Sequence, residues 1–293
     1  MTLAAIVYDF DGTLAPGNMQ DQGLLARLGL APDEFWAEVM DRRHENDADQ
    51  ILSYLGLLVE KGRKAKPPLT RDMLRECGAE LRLFDGVEAW FTKINAFAKS
   101  VGLELEHYVI SAGNREIIEG CSIYDQFKNV FACRFAFDEH GGAHWPLVAI
   151  NYTTKTQFLF RINKGIDDTW DDKKINSWMP EEDRRVSFRR MIFIGDGDTD
   201  IPSFKTVTEH GGASIGVFDP AEWADAEHRK KAHKLIAESR VDFVAPADYH
   251  DESQLAVVVR GILDRIARAE RVHPEFFKNG VFQQEPAKKP PRR

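Results

Sequence analysis

Cysteine is scarce in this chain: Cys77, Cys121 and Cys133 are the only three in 293 residues. They are too few and too scattered for a disulfide framework or a zinc site, so each is expected as a small buried apolar side chain. Excess positive charge is also missing. Lys and Arg number 39 against 47 Asp and Glu, a net charge of −8, which argues against a nucleic-acid partner. No apolar stretch is long enough to span a bilayer. The N-terminus runs straight into an apolar strand, leaving no room for a secretory leader. These absences lead to the expectation of a soluble, cytoplasmic protein with no membrane partner. There is no G-x-x-x-x-G-K-[ST] loop and no internal repeat.

What is present begins at Ile6-Val7-Tyr8-Asp9-Phe10-Asp11-Gly12-Thr13-Leu14. The apolar run reads as a buried strand. Side chains alternate in an extended backbone, so Asp9 and Asp11 project to one side. Two carboxylates set together repel unless something positive lies between them, and a divalent cation with oxygen ligands is the obvious candidate. The plainer alternative is a strand followed by a solvated D-G turn. A second stretch, Met191-Ile192-Phe193-Ile194-Gly195-Asp196-Gly197-Asp198-Thr199-Asp200, repeats the grammar far away in the chain. An EF-hand loop starting at Asp196 would need glycine at Ile201 and glutamate at Val207. A dinucleotide fingerprint starting at Gly195 would need glycine at Asp200. In a parallel sheet both strand ends would open on one edge and make one acidic cup.

The pattern resembles the haloacid dehalogenase superfamily of phosphatases, with four motifs in order. They are Asp9-Phe10-Asp11-Gly12-Thr13, then Ser111 in Tyr108-Val109-Ile110-Ser111-Ala112-Gly113, then Lys155 in Asn151-Tyr152-Thr153-Thr154-Lys155-Thr156, then Gly195 to Asp200. The surroundings of Ser111 are similar to the phosphoserine phosphatase branch, although that branch's cap signature is not recognisable. The resemblance implies an α/β fold, a Rossmann-like parallel sheet flanked by helices with a smaller helical type 1 cap. It makes Asp9 the nucleophile and Asp11 the acid that protonates the leaving oxygen and later activates water. Mg²⁺ would be held by Asp9, the Asp11 backbone carbonyl and Asp196, with Asp200 in the ligand set or just behind it. Ser111 and the amides of Ala112 and Gly113, together with Thr13, would contact the phosphoryl group. Lys155 would offset the carboxylates. Asp198 reads as a loop residue. Dehalogenases of this superfamily lack the second acid, so Asp11 points to an ester hydrolase or a phosphomutase.

Local readings compete with some of these roles. Ser111 could cap the helix starting near Asn114, since serine is a favoured N-cap. Arg161 and Lys164 lie close to Lys155. Thr153 or Thr154 reads as an N-cap that puts Lys155 in a first helical turn, whereas Lys164 precedes Gly165 and reads as a helix C-terminal cation.

The organisation expected is a core of residues 1–14 and 85–285, a helical cap over 15–84 and a disordered tail over 286–293. Cap helices are expected near 20–28, 32–43, 48–60 and 70–83, with Thr70 as an N-cap. Trp36, Met40, Arg42, Arg43 and His44 fall on one of them and could grip an anionic or planar leaving group. Arg43 is the residue chosen for substrate contact. The run Lys61-Gly62-Arg63-Lys64-Ala65-Lys66 reads as a solvated loop. A helical stripe of Val87, Trp90, Phe91, Ile94, Phe97, Ala98 and Val101 is core packing. A strand pair turns at His140-Gly141-Gly142, 165–185 is a loop-rich insertion, and the last helix spans 253–269. The expected activity is magnesium-dependent hydrolysis of a small organic phosphate monoester through an aspartyl-phosphate. A phosphoryl-transferring mutase and a non-catalytic binding protein on the same fold are the alternatives.

Overall fold

The computed structural model describes residues 1–272, apart from the side chains of Asp198 and Val272. The expected tail at 286–293 lies outside these residues. Among them seven strands form one sheet in the order β4-β3-β2-β1-β5-β6-β7. The strands are β1 (Thr2–Tyr8), β2 (Leu103–Asn114), β3 (Asn129–Phe137), β4 (Ala143–Val148), β5 (Met191–Gly195), β6 (Ala213–Phe218) and β7 (Phe243–Pro246). All neighbours are parallel except the hairpin of β3 and β4. The apolar runs of β1 and β5 are buried throughout their sheet-central length, as strands covered on both faces must be.

The order runs outward from β1 in two directions, so β1 and β5 flank the point where an open α/β sheet has its ligand crevice. Tyr8 pairs with Val109 on one side and Ile194 on the other. The Asp9 amide then donates to the Ile194 carbonyl at 2.9 Å. This register brings Asp9, Ser111 and Asp196 to one edge of the sheet, beyond the end of β1.

The helices are α1 (Pro32–Asn46), α2 (Gln50–Lys64), α3 (Arg71–Ala79), α4 (Val87–Ser100), α5 (Arg115–Gly120), α6 (Thr154–Lys164), α7 (Asp172–Asn176), α8 (Ile201–Glu209), α9 (Ala226–Ala237) and α10 (Gln254–Val272). The stripe on α4 is core, with Val87, Trp90, Phe91, Ile94 and Ala98 buried. No described helix is long and apolar enough to cross a membrane.

The segment between β1 and α4 departs from expectation in detail. The helix expected near residue 20 is a π turn, Gln20–Leu24, and a short turn, Leu25–Arg27, because Gly23 at φ 139° leaves the helical region. The Asp49 carboxylate caps α2 by accepting from the amides of Ile51 and Leu52, so that helix starts at Gln50. It also runs on to Lys64, so most of the basic run is a last helical turn and not a loop. Lys61 pairs with Glu38 at 2.7 Å and Lys64 with Glu60 at 2.9 Å. Thr70 caps α3 as expected, through the Met73 amide. That helix ends at Ala79 and lies backbone to backbone on α5. A Cβ on Gly78 would sit 1.9 Å from the Ile117 carbonyl oxygen, and one on Gly120 would sit 1.9 Å from that of Arg75.

Candidate active site

Asp9 follows β1 directly and is 4% exposed. Lys155 in the first turn of α6 is fully buried, with Nζ 2.7 Å from Asp9 Oδ2 and 2.8 Å from Asp200 Oδ1. The Asp200 carboxylate also accepts from the amides of Asp196 and Gly197, at 3.1 and 3.4 Å, which shapes the turn after β5. Carboxylate oxygens of Asp9, Asp196 and Asp200 all lie within 4.8 Å of one another. The approach is close enough to demand glycine. A Cβ on Gly12, at φ +68°, would fall 2.6 Å from the Asp196 carboxylate, and one on Gly195 would fall 2.3 Å from Asp200 Oδ2.

Asp11 faces the same cavity, and its Oδ1 accepts from the Met19 amide at 2.9 Å. Its carboxylate is not part of the three-residue cluster. Ser111 is buried on the cavity wall, and its Oγ accepts from the Gly113 amide at 2.9 Å. Asn114, not Ser111, stands at the N-cap position of α5. Thr153 stands at the N-cap position of α6, as expected, but its side chain makes no capping bond, and Asn151 Oδ1 accepts from the Thr154 amide at 3.3 Å. The competing cations lie elsewhere. Lys164 donates to the carbonyls of Ile175 and Ser177, and Arg161 to those of Asp168 and Thr169.

Three expected contacts are one step removed from the cavity of about 560 Å³ above this edge. Thr13 is buried, its Oγ1 has no hydrogen-bond partner, and its carbonyl accepts from Tyr249. Gly113 lies behind Ser111 against Met19 and Asp11. Arg43 donates to Gln50 Oε1 at 3.2 Å, and Gln50, not Arg43, lines the cavity. Ala112 does line it. The expectation for Asp198 falls on a side chain outside the described set.

The electrostatics follow from burial. Burial raises the Asp9 carboxyl, Lys155 opposes this, and the charge of Asp196 adds to it. Asp200 is pushed up to about 6 by burial, partly offset by Lys155. Asp196 is raised by burial against the pull of Lys231. Asp11 is raised well above the carboxylate range by burial and by the charge of Asp9, with the Met19 amide opposing. Burial disfavours the Lys155 ammonium, yet Asp200 and Asp9 outweigh it and hold it charged.

Lys231 on α9 went unforeseen. Its Nζ lies 3.3 Å from Asp196 Oδ2. The polar run of α9 gives no local signal, since only the fold packs it on β6 and β7 and so brings Lys231 to Asp196. Tyr54 was also missed. It lies on α2, and its hydroxyl donates to the Ala112 carbonyl at 2.5 Å. Asp9, Asp196 and Asp200 face two ammonium groups, Lys155 and Lys231, so the ionised cluster keeps a negative charge that a cation would offset. An all-oxygen set of this size fits Mg²⁺.

A model of the haloacid dehalogenase-like hydrolases matches residues 6–205. The chain belongs to that family. It is 28% identical over 280 residues to an uncharacterized protein of Borreliella burgdorferi, covering 86% of this chain and 94% of that one. Its fold is similar to that of a HAD-family hydrolase of Salmonella enterica serovar Typhi, with a TM-score of 0.56, 15% identity, and coverage of 88% of this chain and 70% of that one. A probable phosphoserine phosphatase of Vibrio cholerae gives 0.57 at 13% identity over 92% and 67%. A phosphoserine phosphatase solved as a phospho-aspartyl intermediate analogue gives 0.52 at 16% identity over 89% and 99%. The expected α/β, Rossmann-like class and the superfamily are therefore those of the chain.

Proposed function

We propose that the chain is a magnesium-dependent phosphatase acting on a small phosphorylated metabolite, a phosphate monoester, through an aspartyl-phosphate on Asp9. One observation carries the reading: Lys155 Nζ is buried between Asp9 and Asp200, which cluster with Asp196 where β1 and β5 end. Asp9, Asp196 and the Asp11 backbone carbonyl would hold Mg²⁺, with Asp200 behind them. When bound, the ion neutralises charge on the phosphoryl oxygens and the attacking carboxylate.

Asp9 attacks phosphorus, and the bond from phosphorus to the ester oxygen breaks. Asp11, whose raised pKa suits a proton donor, gives its proton to the departing oxygen. Asp11 then takes a proton from water as that water attacks phosphorus. The bond to Asp9 breaks, and inorganic phosphate leaves. Ser111 accepts from Gly113, so its own hydroxyl hydrogen is available to a phosphoryl oxygen. Lys155 holds Asp9 and Asp200 in place throughout.

Helices α1 and α2 would act as the lid that excludes water. Helix α2 and its cap are tied to the catalytic segment by Asn151 Nδ2 to Asp49 Oδ2 at 2.6 Å, by Tyr152 Oη to Gln50 Oε1 at 2.9 Å, and by Tyr54 to Ala112. This supports a cap within residues 15–84, with α3 serving the core side through its seat on α5. The structural likeness to a phosphoserine phosphatase trapped as a phospho-aspartyl analogue supports the same chemistry. Purified protein should release phosphate from p-nitrophenyl phosphate with Mg²⁺, and Asp9→Asn should abolish release. Full activity in Asp9→Asn, or with the metal chelated, refutes the proposal.

A further inference from the structure

On the phosphatase reading, we infer that the leaving group is uncharged and flat, and that it is bound by an aromatic wall on α1 and α2 rather than by a salt bridge. The lid side of the cavity is Trp36, Val39, Met40, Gln50, Ile51 and Tyr54, and none of these is charged. Of the two arginines nearest in sequence, Arg42 is turned to acids on the helices and Arg43 stands behind Gln50, outside the cavity lining. Arg42 is held by Glu60 and Glu38 at 2.7 and 2.6 Å, and Arg43 bonds Gln50. The basic groups of the cavity, Lys231 on Asp196 at 3.3 Å and His228 on Glu222 at 2.8 Å, belong to the opposite wall and not to the lid. Asp219 and Glu222 add negative charge to that wall. A leaving group carrying a carboxylate would lose its water and meet no cation from the lid.

The wall is preorganised for a ring. The Trp36 indole N–H donates to Asp21 Oδ1 at 2.8 Å, and its ring stands edge-on to Tyr54 with centroids 5.9 Å apart. Tyr54 is pinned in turn to the Ala112 carbonyl, next to Ser111. Both aromatic rotamers are therefore set before anything binds, which lowers the ordering cost of stacking a planar group there. The aromatic wall is thereby indexed to the segment that handles the phosphoryl group.

The test compares benzyl phosphate with O-phosphoserine and glycerol 2-phosphate. All three are alkyl esters, so a preference reports binding more than leaving ability. With Mg²⁺, kcat/KM for benzyl phosphate should exceed that for phosphoserine roughly tenfold or more. Trp36→Ala should erase the preference by raising KM for the benzyl ester alone, and Trp36→Phe should keep it. The same three esters are titrated calorimetrically into Asp9→Asn protein. If no ester is turned over by the unaltered enzyme, the phosphatase reading fails. The pocket is still judged by whether benzyl phosphate binds more tightly than phosphoserine. Equal or tighter handling of phosphoserine in either assay, or a preference that survives Trp36→Ala, overturns the inference.

Discussion

Replacing Lys155 with methionine keeps the reach of the side chain and removes its charge. The Nζ is wholly shielded from solvent and donates to two carboxylates, at 2.7 and 2.8 Å. Its loss strands both Asp9 and Asp200 as buried anions, and breaking a buried ion pair in this way costs about 3–5 kcal/mol. For a chain of this size that is a melting decrease of roughly 5–8 °C. The cost should depend on pH with a definite sign. Asp200 is already raised from 3.8 to about 6 in the folded protein, and without Lys155 it and Asp9 rise further. The folded state then binds more protons than the unfolded state between the ordinary carboxylate value and the raised one. Stability therefore falls as pH increases through that window. Lys155→Met should be nearly harmless near pH 4 relative to the parent and most damaging above pH 7. Urea unfolding of both proteins at pH 5 and 7.5, with a chelator present, measures this. An equal penalty at both pH values, or none at pH 7.5, would refute the electrostatic account of Lys155.

Two other perturbations follow from the same physics. Lys231 stands against Asp196, so a bound cation must compete with it. Lys231→Met should tighten Mg²⁺ binding several-fold by calorimetry, and unchanged or weaker binding would sink the idea. His107 is buried, and burial lowers its pKa from 6.5 to about 3. Trp90 donates to the Tyr8 hydroxyl, which meets His107 Nδ1 at 3.1 Å, while Nε2 meets Asn95 Oδ1 at 2.9 Å. The network fits the neutral ring with its proton on Nε2. The unfolded chain binds the extra proton below pH 6.5, so about 2 kcal/mol of stability should be lost by pH 5 from this group. His107→Gln should remove that part of the slope, and an unaltered slope would count against the assignment.

Much of the scaffold was legible because it depends on local pattern. The runs before Asp9 and Gly195 are apolar without alternation, as central parallel strands require. Thr70 capped its helix, and the stripe from Val87 matched the core face of α4. Where local reading slipped, a specific contact had intervened. Gly23 broke the first turn of the insertion, Asp49 displaced the start of α2, and Asn151 made the capping bond at α6 although Thr153 holds the N-cap position. The basic run at Lys61 is solvated at Arg63, Lys64 and Lys66 as expected, but it is helical to Lys64, where Glu60 pairs one turn away and Glu38 comes from the other helix. Arg43 looked like a substrate contact because spacing along a helix does not tell which neighbour will claim a guanidinium.

By itself, the order of residues singled out the groups that meet at this sheet edge: two aspartates after a strand, a serine, a lysine and a second aspartate cluster. Each is written within a few consecutive positions, where backbone geometry alone dictates direction. Only the tertiary structure decided that Lys231 faces Asp196 and that Tyr54 reaches Ala112. It alone also decided that an indole, not an arginine, lines the lid. Those pairings join residues many positions apart, and their energies exist only once the sheet order and helix packing have brought them within hydrogen-bond reach.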